Sequence, residues 1–250
     1  MDPRVELLKG FSRGFIPGTA KIETERFGFP FLDELLSGGA CLEYGELTST
    51  RLLHKFKLVD IPAGRMDELL QLHVDKACNV CRYFDATAND VFCFNLDNNH
   101  KTDNTAAIPE MDLAIRSLGG CLRDLGCEPL IIASGRGYHV WCRLEERVEN
   151  GRLYGFMLRV AVRTLMAFHQ SGLDHQNIKF NFYPDVKAHN VVSLRLFGSE
   201  HAKNKVFSRI LTPDGLLGEE ASWKCFEDFI RNKTLPLARF QAAEALAAVQ

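Results

Sequence analysis

The spacing of apolar positions changes character along this chain. The first 60 residues are rich in Gly, Pro and Phe and show only weak periodicity, which predicts irregular structure and short strands. Residues 66–77 read as a helix that leads into a Cys-x-x-Cys pair, Cys78 and Cys81. From residue 90 the pattern sharpens. VFCFNL (91–96) is a short apolar run of strand type, and Met111, Ile115, Leu118, Leu122 and Leu125 form a helical stripe that Gly119 and Gly120 weaken. PLIIA (129–133) and YHVWCRL (138–144) predict two strands joined by SGRG. RLYGFMLRVAVRTLMAFHQ (152–170) is the strongest helical pattern, with Ser171 and Gly172 to stop it. IKFNFY (178–183) and NVVSLRL (190–196) alternate as half-buried strands do, and helical segments follow around 222–231 and 236–249. Strands that alternate with helices and also pair with one another predict an α+β, or mixed α/β, fold with its chemistry on one sheet.

Composition changes this picture little, but charge does. A chain of 250 residues with 46% hydrophobic and 25% charged residues can bury an ordinary core. There is no apolar run near 18 residues and no charged-then-apolar leader, so no membrane span and no secretion are expected, and a cytoplasmic (nucleoid) or nuclear location is. The net charge of −2 argues against indiscriminate coating of nucleic acid. Between Ser134 and Arg209, however, twelve Lys and Arg face six Asp and Glu, a local +6 that leaves −8 for the rest of the chain. About half of that excess also reads as a solvated helix face, since Arg143, Arg147, Arg152, Arg159 and Arg163 lie on or near one predicted helix.

Three segments carry candidate chemistry. In an alternating strand Asn95 and Asp97 point to one face, a site-like pair with a single charge. In IIASGRGYHVW, two glycines sit where the backbone turns between strands and can bring peptide N–H groups close to an anion, beside Ser134, Arg136 and His139. No helix follows those glycines, so neither the P-loop nor the dinucleotide fingerprint applies, and a plain tight hairpin is the alternative. In SLRLFGSEHAKNK, Arg195 is followed by Ser199, His201, Lys203 and Lys205, which either neutralise a polyphosphate or form an ordinary solvated loop. YPDVKA adds Asp185 just past an alternating strand, so that two carboxylates could supply oxygen ligands to hard divalent cations.

Over residues 85–212 these pieces, in this order, resemble the archaeo-eukaryotic primase superfamily of primase-polymerases. The first motif of that family, hydrophobic-Asp-hydrophobic-Asp/Glu, is matched by FNLD, with Asn95 and Asp97 at the two acidic places. The second, Ser-x-His within SGRxGxH, is matched by SGRGYHVW, and the third by Asp185 followed by the basic loop. The resemblance implies a primase-like core with an RRM-like sheet over residues 1–220 and a helical C-terminal tail over 221–250. It implies a nucleotidyltransferase that makes or extends primers on single-stranded DNA. Asp97 and Asp185 would hold two Mg2+ or Mn2+ ions, and Asn95 would occupy the remaining catalytic position. Ser134, Arg136, His139, Arg195, Ser199, His201 and Lys203 would hold the incoming nucleoside triphosphate, and a helicase or large primase subunit would be a separate partner.

Asn95 departs from that pattern. An amide oxygen can ligate a cation but brings no charge, and a loss of about 4 kcal/mol in the transition state corresponds to roughly a thousandfold in rate. An adapted enzyme, a natural pseudo-enzyme and an Asp-to-Asn substitution all fit, so a catalytically silent nucleotide- or nucleic-acid-binding subunit is the alternative function. A factor that binds only the DNA backbone is a third. Related primases often carry a zinc module, so Cys78 and Cys81, with His73, Cys93, Cys121 or Cys127, form a candidate structural Zn2+ element near residues 73–127. Ordinary buried thiols are the competing reading, and Tyr138 and Trp141 read as core, with base contact as the alternative.

Overall fold

A computed structural model describes residues 2–11, 19–23, 41–44, 56–60, 66–76, 79–98, 109–135, 137–173, 175–186, 193–198, 200–201 and 206–249. Helices are α1 (Pro3–Phe11), α2 (Met66–Val74), α3 (Pro109–Asp124), α4 (Asn150–Ser171), α5 (Glu219–Asn232) and α6 (Leu237–Val249). The early strands are β1 (Thr19–Glu23), β2 (Cys41–Tyr44), β3 (Phe56–Asp60), β4 (Asn79–Tyr83) and β5 (Ala88–Asn98). They are followed by β6 (Leu130–Ala133), β7 (Gly137–Glu149), β8 (Ile178–Tyr183), β9 (Ser193–Arg195), β10 (Arg209–Thr212), β11 (Gly215–Leu216) and β12 (Thr234–Leu235). The fold is α+β with mostly antiparallel pairing, as the alternation of patterns predicts.

The chain divides into two compact units, Met1–Asp85 with Val191–Ser208, and Ala86–Asn190 with Arg209–Gln250. The first is a sheet of order β2-β3-β1-β4-β9. Arg82 of β4 is buried in it, donates to the Phe11 carbonyl and lies against the Phe11 and Phe84 rings, which keeps its charge solvated by a carbonyl and π faces.

The second unit carries the sheet β11-β10-β6-β7-β5-β8, with β12 parallel to the far end of β7. Residues 91–96 of β5 are buried on both faces, which is why VFCFNL reads as a continuous apolar run. Phe92, Phe94 and Leu96 lie on one face with Tyr138, Val140 and Cys142 of β7 and Ile178 of β8. Against them pack Met111, Leu118 and Leu122 of α3, Phe156 and Val160 of α4, and Phe240 and Ala243 of α6. Phe156 stacks edge-on to Phe92 at 5.6 Å and to Phe240 at 5.3 Å. The segment from residue 221, expected as a helical tail, carries most of α5, then β12 and α6, and Leu235 of β12 with Phe240, Ala243 and Ala247 of α6 joins this core.

One expectation is corrected: the chemistry does not share one sheet. β9, with Arg195, pairs antiparallel with β4 in the first unit, whereas β5, β7 and β8 form the centre of the other sheet. Alternation shows which face of a strand is apolar but not which edge it joins.

Candidate functional site

Side chains alternate along β5, so Cys93, Asn95 and Asp97 point away from the face of Phe92, Phe94 and Leu96. Antiparallel register then sets three rungs across β7, β5 and β8: Trp141–Cys93–Tyr183, His139–Asn95–Asn181 and Gly137–Asp97–Lys179. The two halves of the first motif and the histidine of the second, 42 to 44 residues apart, thus become direct neighbours on one face. His139 and Asn95 are both buried, at 6% and 8% exposure, and the His139 ring stands edge-on to Trp141 at 6.3 Å.

Asp97 is held by two amides. Asn95 Nδ2 donates to Asp97 Oδ2 at 3.2 Å, and Asn181 Nδ2 donates to the same oxygen at 3.3 Å. The orientation of Asn95 is fixed by that contact, because a flipped amide would set two oxygens against each other. Its Oδ1 is consequently a buried acceptor with no hydrogen-bond partner. A buried carbonyl oxygen left in that state is costly unless something else meets it.

Tyr183 and Asn181 are functional candidates that the sequence reading missed. Burial, then the neighbouring Cys93 and Asp97, push the Tyr183 phenol up to about 12, with a smaller push from Asp185 and an opposing hydrogen bond from Asn95. The hydroxyl therefore keeps its proton at neutral pH. Asp97 on β5 and Asp185 just past β8 both raise this phenol, although the register sets Asp97 opposite Lys179 and puts Asp185 beyond the Cys93–Tyr183 rung, toward the other end of the pairing. The signal was present in IKFNFY, where Lys179, Asn181 and Tyr183 alternate with Ile178, Phe180 and Phe182.

The β6–β7 hairpin shows how the second motif is built. The Ser134 N–H donates to the Gly137 carbonyl at 2.9 Å and its hydroxyl donates to the same oxygen at 3.2 Å, which closes the turn. Gly135 has φ of +100°, a region that side chains avoid. Gly137 serves a different purpose from the anion approach expected of it. A Cβ there would stand 1.9 Å from the Leu96 carbonyl oxygen, so only glycine lets β7 begin directly against Asp97. Arg136 lies outside the described residues. Tyr138, at 4% exposure, belongs to the helix-packed core and Trp141 is fully buried, so both are core residues and not base-stacking platforms.

The basic loop of the third motif belongs to the first unit. Arg195 donates to the Glu200 carbonyl at 3.0 Å, and the buried His201 closes the loop through its N–H to Val206 O at 2.8 Å. Ser199 and Lys203 lie outside the described residues. Beneath this loop His73 is fully buried, with Nε2 on the Phe197 carbonyl at 2.8 Å and Nδ1 accepting from the Val80 N–H at 3.0 Å.

No family model matches the chain, and no curated protein matches it by sequence. Among solved structures the chain is similar to the polymerase domain of Mycobacterium tuberculosis ligase D in complex with DNA. The TM-score is 0.44 at 12% identity, covering 99% of this chain and 87% of that one.

Among the described residues no three His, Cys, Asp or Glu side chains gather as a metal-binding group, and no helix is long and apolar enough to cross a membrane. Cys78 lies outside them. Cys81 is buried on β4, and both ring nitrogens of His73 are already engaged. Burial pushes the thiols of Cys93 and Cys142 well up and that of Cys127 to about 12, so they stand as neutral core groups and not as thiolates. Native protein at pH 8 is therefore expected to leave Cys93, Cys127 and Cys142 unmodified by a disulfide reagent, while all eight cysteines react in urea. Rapid native labelling of any of the three, read by mass spectrometry, would contradict this. For a hard divalent cation the local donors fit: the Asp97 carboxylate and the orphaned Asn95 Oδ1 are both oxygens.

Proposed function

We propose that the second unit binds a nucleoside triphosphate with Mg2+ or Mn2+ on the Asn95–Asp97 face, and that the chain makes or extends primers on single-stranded DNA as primase-polymerases do. The observation that carries this reading is the rung His139–Asn95–Asn181, with an orphaned carbonyl oxygen at its centre and a carboxylate two residues on. The order of the three motifs supports it as well.

Each group has a separate part in the proposal. Asp97 and Asn95 Oδ1 offer oxygens to the cation, and Asp185 keeps the metal-binding role that the motif resemblance implies. His139, Ser134 and Arg136 meet the triphosphate, and Arg195, Ser199, His201 and Lys203 keep the nucleotide-binding role that the motif resemblance implies. A bound divalent cation lowers the pKa of an attacking hydroxyl and neutralises charge on the α-phosphate. The protein positions and neutralises and makes no covalent bond itself. Structural Zn2+ at Cys78 and Cys81, and a separate helicase or large primase subunit, remain part of the proposal.

A second reading, a catalytically silent nucleotide-binding subunit, is favoured by one observation. Asp97 is satisfied by two neutral amides, an arrangement that holds a carboxylate without any cation. Binding of a fluorescent nucleoside triphosphate in Mn2+ tests both. Asp97→Ala and His139→Ala are each expected to weaken it at least about tenfold, or roughly 1.4 kcal/mol. Incorporation of dNTP or NTP on a primed single strand then separates enzyme from silent binder. Absence of nucleotide binding, with DNA binding that depends only on salt, would replace both readings with a DNA-backbone factor.

A further inference from the structure

We infer that the Asn95–Asp97 face takes one divalent cation and not two, because both of its amides bond a single oxygen of Asp97, the carboxylate beside Asn95 on the central strand of the site. The inference rests on the nucleotide binding proposed for this face and concerns how many cations accompany the nucleotide.

A carboxylate that serves two cations must give an oxygen to each, since two ions about 3.5–4 Å apart flank the reacting phosphate. Asp97 cannot do this as it stands. Its Oδ2 already accepts from Asn95 Nδ2 at 3.2 Å and from Asn181 Nδ2 at 3.3 Å. A cation bound to that oxygen would have to displace amide hydrogens that point at it. Oδ1 remains as the single oxygen open to an ion.

Charge leads to the same count. Asparagine at 95 supplies an oxygen without the negative charge of a carboxylate, and that oxygen is buried and unpartnered. On the other side of Asp97 the register places Lys179, a positive charge on the same rung. One ion can be met by Asp97 Oδ1 and Asn95 Oδ1 together with phosphate oxygens. A second would enter a face where one carboxylate position is neutral and a lysine stands beside the other.

The amide pair also explains how Asp97 is kept in place with no ion bound. Two donors from two strands fix its side chain in a pre-set rotamer, so the face is ordered before any nucleotide arrives. Asn181 is on this account a positioning residue.

The test uses the full chain with a non-hydrolysable nucleoside triphosphate, whose binding is read by competition with a fluorescent nucleotide. Bound Mn2+ is counted separately from the electron paramagnetic resonance signal of the free ion. Wild type is expected to hold one Mn2+ per bound nucleotide. Asn95→Asp removes one amide donor and adds a carboxylate, and is expected to hold two. Asn181→Ala frees Oδ2 from one amide only, and is expected to admit a second Mn2+ at least tenfold more weakly than the first. Two Mn2+ in the wild type would overturn the inference. So would a single Mn2+ in Asn95→Asp with nucleotide bound, and should that variant not fold, an unchanged count in Asn181→Ala decides against it. Failure of the wild type to bind nucleotide at all would instead overturn the proposed function.

Discussion

Gly137→Ala is expected to be the most damaging single-methyl substitution in the second unit. Its Cβ would sit 1.9 Å from the Leu96 carbonyl oxygen and 3.0 Å from the Leu96 carbonyl carbon, both backbone atoms of the neighbouring strand. A flexible side chain could swing away from such an intruder, but a central strand held on both sides cannot. β7 must therefore separate from β5 at the rung that carries Asp97. The expected loss of stability is at or above the roughly 3 kcal/mol upper end of ordinary overpacking. Urea unfolding followed by tryptophan fluorescence is suited to this, since Trp141 and Trp223 both lie in the second unit. Gly120→Ala is the matched control: nothing lies within 4 Å of its Cβ, and alanine in a helix is favoured over glycine by about 0.5–1 kcal/mol. A Gly137→Ala protein as stable as the Gly120→Ala control would refute the close strand approach.

The first unit is expected to lose stability with acid before carboxylates begin to titrate. Burial, the larger cause, and the nearby Arg195 charge hold the His73 ring at about 4, against 6.5 in a free chain, with the Phe197 carbonyl opposing them. An unfolded chain takes up this proton near pH 6.5, while the folded one refuses it until about pH 4. Stability contributed by the neutral ring is therefore complete above pH 6.5 and declines as pH falls through that window, by roughly 3 kcal/mol in total. The reason is local, because a protonated Nδ1 can no longer accept the Val80 N–H. Hydrogen exchange at the Val80 amide is expected to accelerate by about two orders of magnitude between pH 7 and 4, after correction for the intrinsic rate. His73→Gln, which cannot titrate, should flatten that dependence. Protection of Val80 that is unchanged at pH 4 would show that the ring is not the acceptor.

Much of the second unit was legible from the chain alone. The stripe through Met111, Ile115, Leu118 and Leu122 is the buried side of α3, and the run 152–170 is α4 to within two residues at its start and one at its end. PLIIA and YHVWCRL form the expected hairpin, although β7 continues to Glu149, because the exposed residues 145–147 carry no apolar alternation to reveal a strand. Asn95 and Asp97 share a face because alternation along an extended strand is local geometry.

The partners of that face were not legible. Asn181 and Tyr183 sit in a strand with a clear period of two, yet nothing in IKFNFY says that β8 pairs with β5 in the register that sets Asn181 beside Asn95. The orphaned carbonyl of Asn95 follows only once the Asp97 carboxylate has fixed which way its amide turns. In the same way, the alternation of NVVSLRL marks Arg195 as a strand residue but does not say that its strand joins β4 and not the sheet of β5 and β8.

By itself, the sequence determined which residues lie on which face of each element, and which side chains could bond phosphate or a cation. Those properties depend on the backbone period and on side-chain chemistry, both local. The tertiary structure alone decided strand order and register, and with them that two amides converge on one carboxylate oxygen and that Gly137 must lack a Cβ. Such contacts join residues tens of positions apart, and the free energy that selects them comes from burying the Phe92–Phe156–Phe240 face as a whole.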